Sequence, residues 1–278
     1  MRAKTRLNIA LVAGLVVIGA LLWLGLHEDV ADPMLELDPE NLQELSVDAG
    51  GVERLRLERR EGDWYLSHPL AIRADEERLR QLLPLLRAPV RNRYSVDEVD
   101  PARFGLDDPA LRLRANGQEI LFGDMEGVDR QRYARVGDEI LLVDEMVFFQ
   151  FNRPPEILAD HHPLPPETDI DSIEFPGRTL ARDEAGRWQL EPAEGLEQAD
   201  AETVAAGWRD ARADSVAAWP RPMEQALLIR VHLEDGSTRV FHLLDSDERV
   251  LLGDAEHGLL YQFPRAAVGQ LLPGMEAD

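Results

Sequence analysis

Residues 111–124 read Leu-Arg-Leu-Arg-Ala-Asn-Gly-Gln-Glu-Ile-Leu-Phe-Gly-Asp, and their pattern decides what kind of fold the chain adopts. Asn-Gly between two alternating runs is the strongest short hairpin signal, because both residues accept the positive φ of a type I′ turn. Closure at Asn116-Gly117 pairs Ala115 with Gln118, Leu113 with Ile120 and Leu111 with Phe122. One face then gathers Leu111, Leu113, Ile120 and Phe122, so the register is self-consistent and that face belongs in a core.

Hairpins flank this one on both sides. Upstream, Val52 to Glu58 places Leu55 and Leu57 on one side, and Trp64-Tyr65-Leu66 follows the turn Glu61-Gly62-Asp63. A helix comes next, with Asp75 as N-cap, Glu76 and Glu77 in the first turn, and Leu79, Leu82, Leu83 and Leu86 at helical spacing. Pro84 should end or kink it near Leu83. Downstream, Arg132 to Val136 and Ile140 to Val143 form a hairpin through Gly137-Asp138, and an apolar helical turn from Met146 to Phe151 closes the unit.

The same order then recurs. Ile170 to Ile173 is a strand, Arg187-Trp188-Gln189-Leu190 stands 124 positions after Asp63-Trp64-Tyr65-Leu66, and Asp200 caps a helix 125 positions after Asp75, with Val204, Trp208 and Ala211 on one face. Leu227 to Leu244 is a hairpin around Asp235-Gly236, Leu251 to Phe263 repeats the last hairpin, and Pro264 opens a terminal turn with Val268, Leu271 and Leu272. This is an internal duplication. The expected fold class is α+β: two tandem similar units of antiparallel hairpins, each with a packed helix, at residues 51–151 and 167–278. A proline-rich linker at 152–166 joins them, and an acidic stalk at 27–50 precedes them.

Residues 7–26, LNIALVAGLVVIGALLWLGL, carry no charge and are long enough as a helix to cross a bilayer. Arg2, Lys4 and Arg6 precede this run and Glu28, Asp29 and Asp32 follow it, so the positive-inside rule leaves residues 1–6 in the cytoplasm and the bulk of the chain outside. A cleaved signal peptide would have a shorter apolar region and an A-x-A site. The sequence therefore reads as an uncleaved, single-pass signal anchor in a bacterial inner membrane, with the rest periplasmic.

All 53 acidic residues lie beyond that segment, as do all but three of the 30 basic ones, so nucleic acid and anionic lipid surfaces would repel the exported part. The chain has no cysteine, which excludes disulfides, thiolate metal sites and a cysteine nucleophile. Its one lysine is Lys4, and no serine lies in G-x-S-x-G or S-x-x-K. No P-loop and no G-x-G-x-x-G is present.

Other polar groups read structurally. His161-His162 beside Asp160 is the most ligand-like pair, but neighbours in an extended segment point apart, and the reading is a solvated linker. If Asp235-Gly236 closes its hairpin with two residues, Val231 faces Val240 and Ile229 faces His242. His232 and His242 then fall on opposite faces, with His242 a hydrogen-bonded core histidine. Asp97-Glu98, Asp107-Asp108 and Asp169-Asp171 are taken as turn or surface carboxylates, and Trp64 and Trp188 as core residues at equivalent strand positions. No catalytic, cofactor or metal-binding residue is assigned.

The run Gly62 to Leu66, the turn Phe104-Gly105-Leu106-Asp107-x-Pro109, the strand end Phe122-Gly123-Asp124, Arg132-Tyr133-Ala134-Arg135-Val136 and Leu142-Val143 together resemble the bacterial domain-of-unknown-function 4340 (DUF4340) family over residues 52–145. The second half looks like a diverged copy that keeps Trp188 and Leu252-Gly253-Asp254. The resemblance implies a membrane-anchored exported protein, of a kind often encoded beside ABC-transporter and gliding-type transport components, and it carries no catalytic residue. The expected function is a non-enzymatic accessory or scaffold docking on an ABC-type transport complex. The alternative is a periplasmic module for a glycan, peptide or divalent cation, held between the two units.

Overall fold

The computed structural model describes residues 32–127, 129–166, 168–193, 198–219, 227–244 and 248–274. The apolar segment at 7–26 lies outside the described residues, among which no helix is long and apolar enough to cross a membrane.

Two antiparallel sheets dominate. The first contains β1 (Glu44–Ala49), β2 (Val52–Arg60), β3 (Asp63–His68), β4 (Ile72–Arg73), β5 (Asn92–Ser95), β6 (Leu111–Ala115), β7 (Gln118–Met125), β8 (Gln131–Val136) and β9 (Glu139–Asp144). The second contains β10 (Ile170–Phe175), β11 (Arg178–Arg182), β12 (Trp188–Glu191), β13 (Ser215–Ala218), β14 (Leu227–Leu233), β15 (Thr238–Leu244), β16 (Arg249–Asp254) and β17 (Leu259–Pro264). The first sheet runs β4-β3-β2-β1-β6-β7-β8-β9-β5 and the second β12-β11-β10-β14-β15-β16-β17-β13. Without the two-residue β4, the orders superimpose strand for strand, so the duplication inferred from spacing is a duplication of topology. The helices are few and short: α1 (Glu76–Leu82), α2 (Glu145–Phe151), α3 (Gln198–Arg209) and α4 (Val268–Leu271). The fold is therefore mostly β, α+β at its most helical.

The hairpin at 111–124 has the expected register. Leu111 pairs with Phe122, Leu113 with Ile120 and Ala115 with Gln118, and Leu111, Leu113, Ile120 and Phe122 are fully buried. Asn116 and Gly117 both take positive φ, as a type I′ turn demands. Asp75 caps α1 by accepting from the Arg78 N–H, and the helix gives way at Leu83 to a 3-10 turn that contains Pro84. Asp200, expected to cap α3, sits instead in its first turn, because the helix already begins at Gln198.

Three further expectations need correction. The acidic stalk at 27–50 is folded from residue 32 onward. Met34, Leu35 and Leu42 are buried, and β1 lies inside the sheet between β2 and β6 with Leu45 and Val47 in the core. The short strand was obscured by the acidic residues around it. The second correction concerns the Asp235-Gly236 hairpin, which closes one residue out of the expected register. His232 faces Thr238, Val231 faces Arg239 and Ile229 faces Phe241. Leu233 and Ser237 form the last hydrogen-bonded step, with Gly236 at positive φ, which is a three-residue loop with a bulge. His232 and His242 consequently share the face away from the core. His242 is half-buried against Trp219, and its buried Nδ1 has no hydrogen-bond partner among the described residues.

The third correction is the linker, which is not solvated. Leu158, Ala159, Asp160, His161 and Leu164 are buried. The Asp75 N–H donates to the Leu158 carbonyl, the Asp160 N–H to Arg73 and the Ala213 N–H to His161, so this strip is hydrogen-bonded to both units. Each unit has its own apolar core, and Leu70 and Ile72 pack against both.

Candidate functional site

The loop after β3 turns the chain into β4, leaving the outer edge of the first sheet free to meet the linker. Where the two units and the linker come together, the polar residues sort into a closed cluster and an open one. Asp75 is the centre of the closed cluster. One of its oxygens caps α1, while the other lies 3.6 Å from Arg212 and 3.9 Å from His161. His161 Nδ1 faces the Ala213 carbonyl at 2.8 Å and so carries the proton, leaving Nε2 to accept from the Arg78 Nε–H at 3.3 Å. Both ring nitrogens of His161 and both oxygens of Asp75 have partners within the junction, so the cluster reads as a clasp between the units.

His162 points the other way, as neighbours in extended chain must. It lines a cleft of about 640 Å³ together with Asp63, Tyr65, Arg73, Asp160, Arg239 and His257. Two Asp–His pairs border the cleft. Asp160 Oδ1 accepts from the His162 backbone N–H at 3.1 Å and from Nδ1 at 2.6 Å. Asp254 accepts from His257 Nδ1 at 2.8 Å and from Arg239 at 2.8 Å, and its second oxygen takes the backbone N–H groups of Glu256 and His257. In both pairs Nδ1 is tied back to the carboxylate and Nε2 has no partner among the described residues.

Burial pushes the Asp160 carboxyl up, but the side-chain and backbone hydrogen bonds from His162 outweigh it and hold the group below the ordinary carboxylate range. Asp254 is held low in the same way, burial being overcome by His257 and Arg239. Both therefore stay ionised behind their rings. Arg73 bonds Asp63 at 3.2 Å and Glu76 at 3.3 Å through Nη2, and burial, which would lower its pKa, is outweighed by those carboxylates and Asp160. Behind the cleft, burial pushes the Tyr261 hydroxyl far above its ordinary range; it feels the charges of Asp254, Arg239 and Asp160, and it has no hydrogen-bond partner among the described residues. Asp254, Glu256 and His257 have ligand atoms within 4.8 Å of one another, but the Asp254 oxygens are already engaged by Arg239 and His257.

The sequence pointed at Asp160, His161 and His162 but not at their partners. Arg73, Asp63, Arg239 and His257 come from four separate segments, and the spacings Asp160-x-His162 and Asp254-x-x-His257 identify oriented imidazoles only once the fold shows each Nδ1 on its carboxylate. Asp97, Glu98, Asp107, Asp108, Asp169 and Asp171 are exposed and away from the cleft lining. Trp64 and Trp188 are buried on β3 and β12, at equivalent places in the two sheets.

The motifs that carried the family resemblance meet in a packing contact. Gly105 takes φ +69° at the end of a 3-10 turn, and a Cβ there would lie 2.8 Å from the Asp124 carboxyl. A Cβ on Gly123 would run into the Phe104 carbonyl. Arg132 bridges the same place, donating to the Gly123 carbonyl and, at 2.6 and 2.9 Å, to both oxygens of Glu145, with its guanidinium 3.7 Å over the Phe148 ring. The family model for the domain of unknown function DUF4340 matches residues 64–224.

The chain belongs to the DUF4340 family.

The DUF4340 match runs from β3 through the linker and past β13, so it spans parts of both units and not one repeat. Arg73, Asp160 and His162 fall within it, whereas Arg239, Asp254 and His257 lie beyond it. The second-half motif Leu252-Gly253-Asp254 sits on β16, the counterpart of β8, whereas Phe122-Gly123-Asp124 sits on β7, so the two are not equivalent positions of the repeat. Gly253 meets the Trp219 ring instead. No curated protein and no solved structure matches the chain.

Proposed function

We propose that this DUF4340 protein is a non-enzymatic accessory component of a bacterial inner membrane, anchored by residues 7–26 with its N-terminus in the cytoplasm, whose periplasmic double module docks on an ABC-type transport complex. The observation that carries this reading is the shortness of the chain between the apolar stretch and the fold. The Val90 N–H donates to the Asp32 carbonyl, Pro33 pairs with Pro89 and Met34 is buried, so only five positions of sequence, 27–31, separate the apolar stretch from residue 32, where the described fold begins. Five residues reach at most roughly 20 Å. A module held that close is placed to meet the exposed parts of neighbouring membrane proteins and is kept from diffusing to distant partners. Affinity purification from gently solubilised membranes should recover a permease or its ATPase with this protein. Repeated recovery of this protein alone contradicts the reading.

The cleft favours a second reading, a periplasmic ligand-binding module for a glycan, peptide or divalent cation. Its support is the position of the cleft, between units that are joined through a buried linker. A thermal shift with cell-wall fragments or divalent ions would favour it, because a ligand that binds the folded state raises the melting temperature by mass action.

A further inference from the structure

The helix-bearing side of the first sheet is left partly open. Met146 and Phe149, three apart on α2 and therefore on one face of it, are 54% and 58% exposed, whereas Val147 and Phe151 on the other face belong to the core. Met125 is 55% exposed on the same side of the sheet, because it pairs with Arg132, whose guanidinium lies over the Phe148 ring. Between α2 and the 3-10 turn that follows α1 runs a groove of about 240 Å³ with Leu82, Leu85, Met146 and Ile157 in its wall. The charged residues lining it are Arg78 and Arg153, with no carboxylate among the described residues, in a chain that has 53 acidic residues to 30 basic ones. We propose that this surface lies on the lipid bilayer, with Phe149 and Met146 seated at the boundary between headgroups and acyl chains. It rests on the inner-membrane reading above and gives the module an orientation on its membrane.

What selects lipid is the place where the described fold begins. Pro33 pairs with Pro89, and the Met34 and Leu35 N–H groups donate to the Ala88 and Leu86 carbonyls, so residues 33–35 run along the strip that follows Leu85 in the groove wall. Five positions of sequence separate residue 32 from the apolar stretch at 7–26, and five residues span at most roughly 20 Å. A bilayer holding that stretch would lie on the side of the module where Leu85 and Met146 meet. The side chains suit that place. Phenylalanine and methionine gain on leaving water and need no hydrogen-bond partner, and interfacial helices bury such side chains about 5–10 Å into the headgroup and acyl boundary. Arg87 and Arg153 are exposed and have no ion pair among the described residues, which leaves their guanidinium groups to lipid phosphates. The neighbouring carboxylates are mixed: Glu145 is bonded by Arg132 and Glu77 by Arg80, whereas Asp144 and Glu156 have no ion pair among the described residues. The contact is therefore apolar first and forms on zwitterionic lipid. Two side chains would hold a free module only weakly, but the proposed anchor would make the contact intramolecular and raise its effective concentration.

The test uses the full chain in phosphatidylcholine vesicles, with an environment-sensitive fluorophore on Phe149→Cys, on Met146→Cys or, as a control, on Val240→Cys, an exposed apolar position of the second unit. Nitroxide carried high on the acyl chain should quench the Phe149 and Met146 labels at least about twofold more than the Val240 label, since interfacial side chains sit about 5–10 Å into the boundary. The emission of both should also be blue-shifted from that of the control. Equal quenching at all three positions overturns the proposal. So do α2 labels that are shielded from aqueous iodide yet out of reach of the acyl-chain nitroxide, because a protein surface then covers them, whether a transport component or a second copy of this chain. A label on Arg91→Cys against headgroup nitroxide tests the anchor separately. If that label is quenched and those on α2 are not reached from the acyl chain, the anchored reading survives and only this orientation fails. If neither nitroxide quenches any label, the anchored reading fails as well.

Discussion

Gly123 and Asp254 show how single side chains hold this molecule in place. Gly123 is where the Phe104-Gly105 turn presses on β7, and a methyl group there meets the Phe104 carbonyl. Gly123→Ala should therefore destabilise the protein by about 1–3 kcal/mol or more, as overpacking does, measured as a fall in the urea midpoint. An unchanged midpoint would mean that the turn does not dock on this strand. Asp254 is 1% exposed and bonded to both Arg239 and His257. Its folded-state pKa lies below the ordinary value of 3.8, so the stability it contributes is full above about pH 4 and is lost as the pH falls through the folded-state value. Asp254→Asn should cost on the order of 3 kcal/mol at pH 7, because it leaves the partly buried Arg239 guanidinium without its carboxylate. The gap between wild type and variant should shrink as the pH drops below 4; a gap independent of pH would contradict the assignment. None of this was legible in the sequence, where Gly123 was only part of a motif and His257 stood unremarked. Both depend on partners brought near by the fold.

Elements with a strong local signal were readable in advance, and those defined by their neighbours were not. The 111–124 hairpin announced its register through Asn116-Gly117, and α1 announced its start through Asp75 and its end through Pro84. The Asp235-Gly236 hairpin was misread by one residue because the same dipeptide serves two loop lengths, and with only a one-residue slip every side chain changes face. Strand β1 was missed because its hydrogen-bonding partners, β2 and β6, are what make it a strand. The repeat held the missing clue, since Glu44 stands 126 positions before Ile170, the start of the equivalent β10. If β1 is integral to the first sheet, Leu45→Ala should destabilise by about 2–5 kcal/mol, the usual cost of truncating a buried leucine. Loss of less than about 0.5 kcal/mol in denaturant titration, typical of a surface site, would return residues 44–49 to a stalk.

At the scale of the whole molecule, the duplication was visible as spacing, but the junction was not. The prolines of 152–166 suggested a solvated linker, whereas Leu158 to His161 are buried and hydrogen-bonded to both units. Proline marks a break in regular structure without saying whether the segment is exposed. The same folding-in of residues 32–50 shortens the stretch of sequence between the apolar segment and the fold and makes the proposed membrane role testable. Because the chain contains no cysteine, a single introduced one can be labelled uniquely. Arg91 is exposed next to Val90, whose N–H bonds Asp32 where the described chain begins. With a fluorophore on Arg91→Cys in proteoliposomes of the full chain, nitroxide on lipid headgroups should quench the emission strongly, because the proposed anchor at residues 7–26 would hold this place beside the bilayer. Emission unaffected by the headgroup nitroxide would contradict membrane anchoring through that segment, and the accessory role with it.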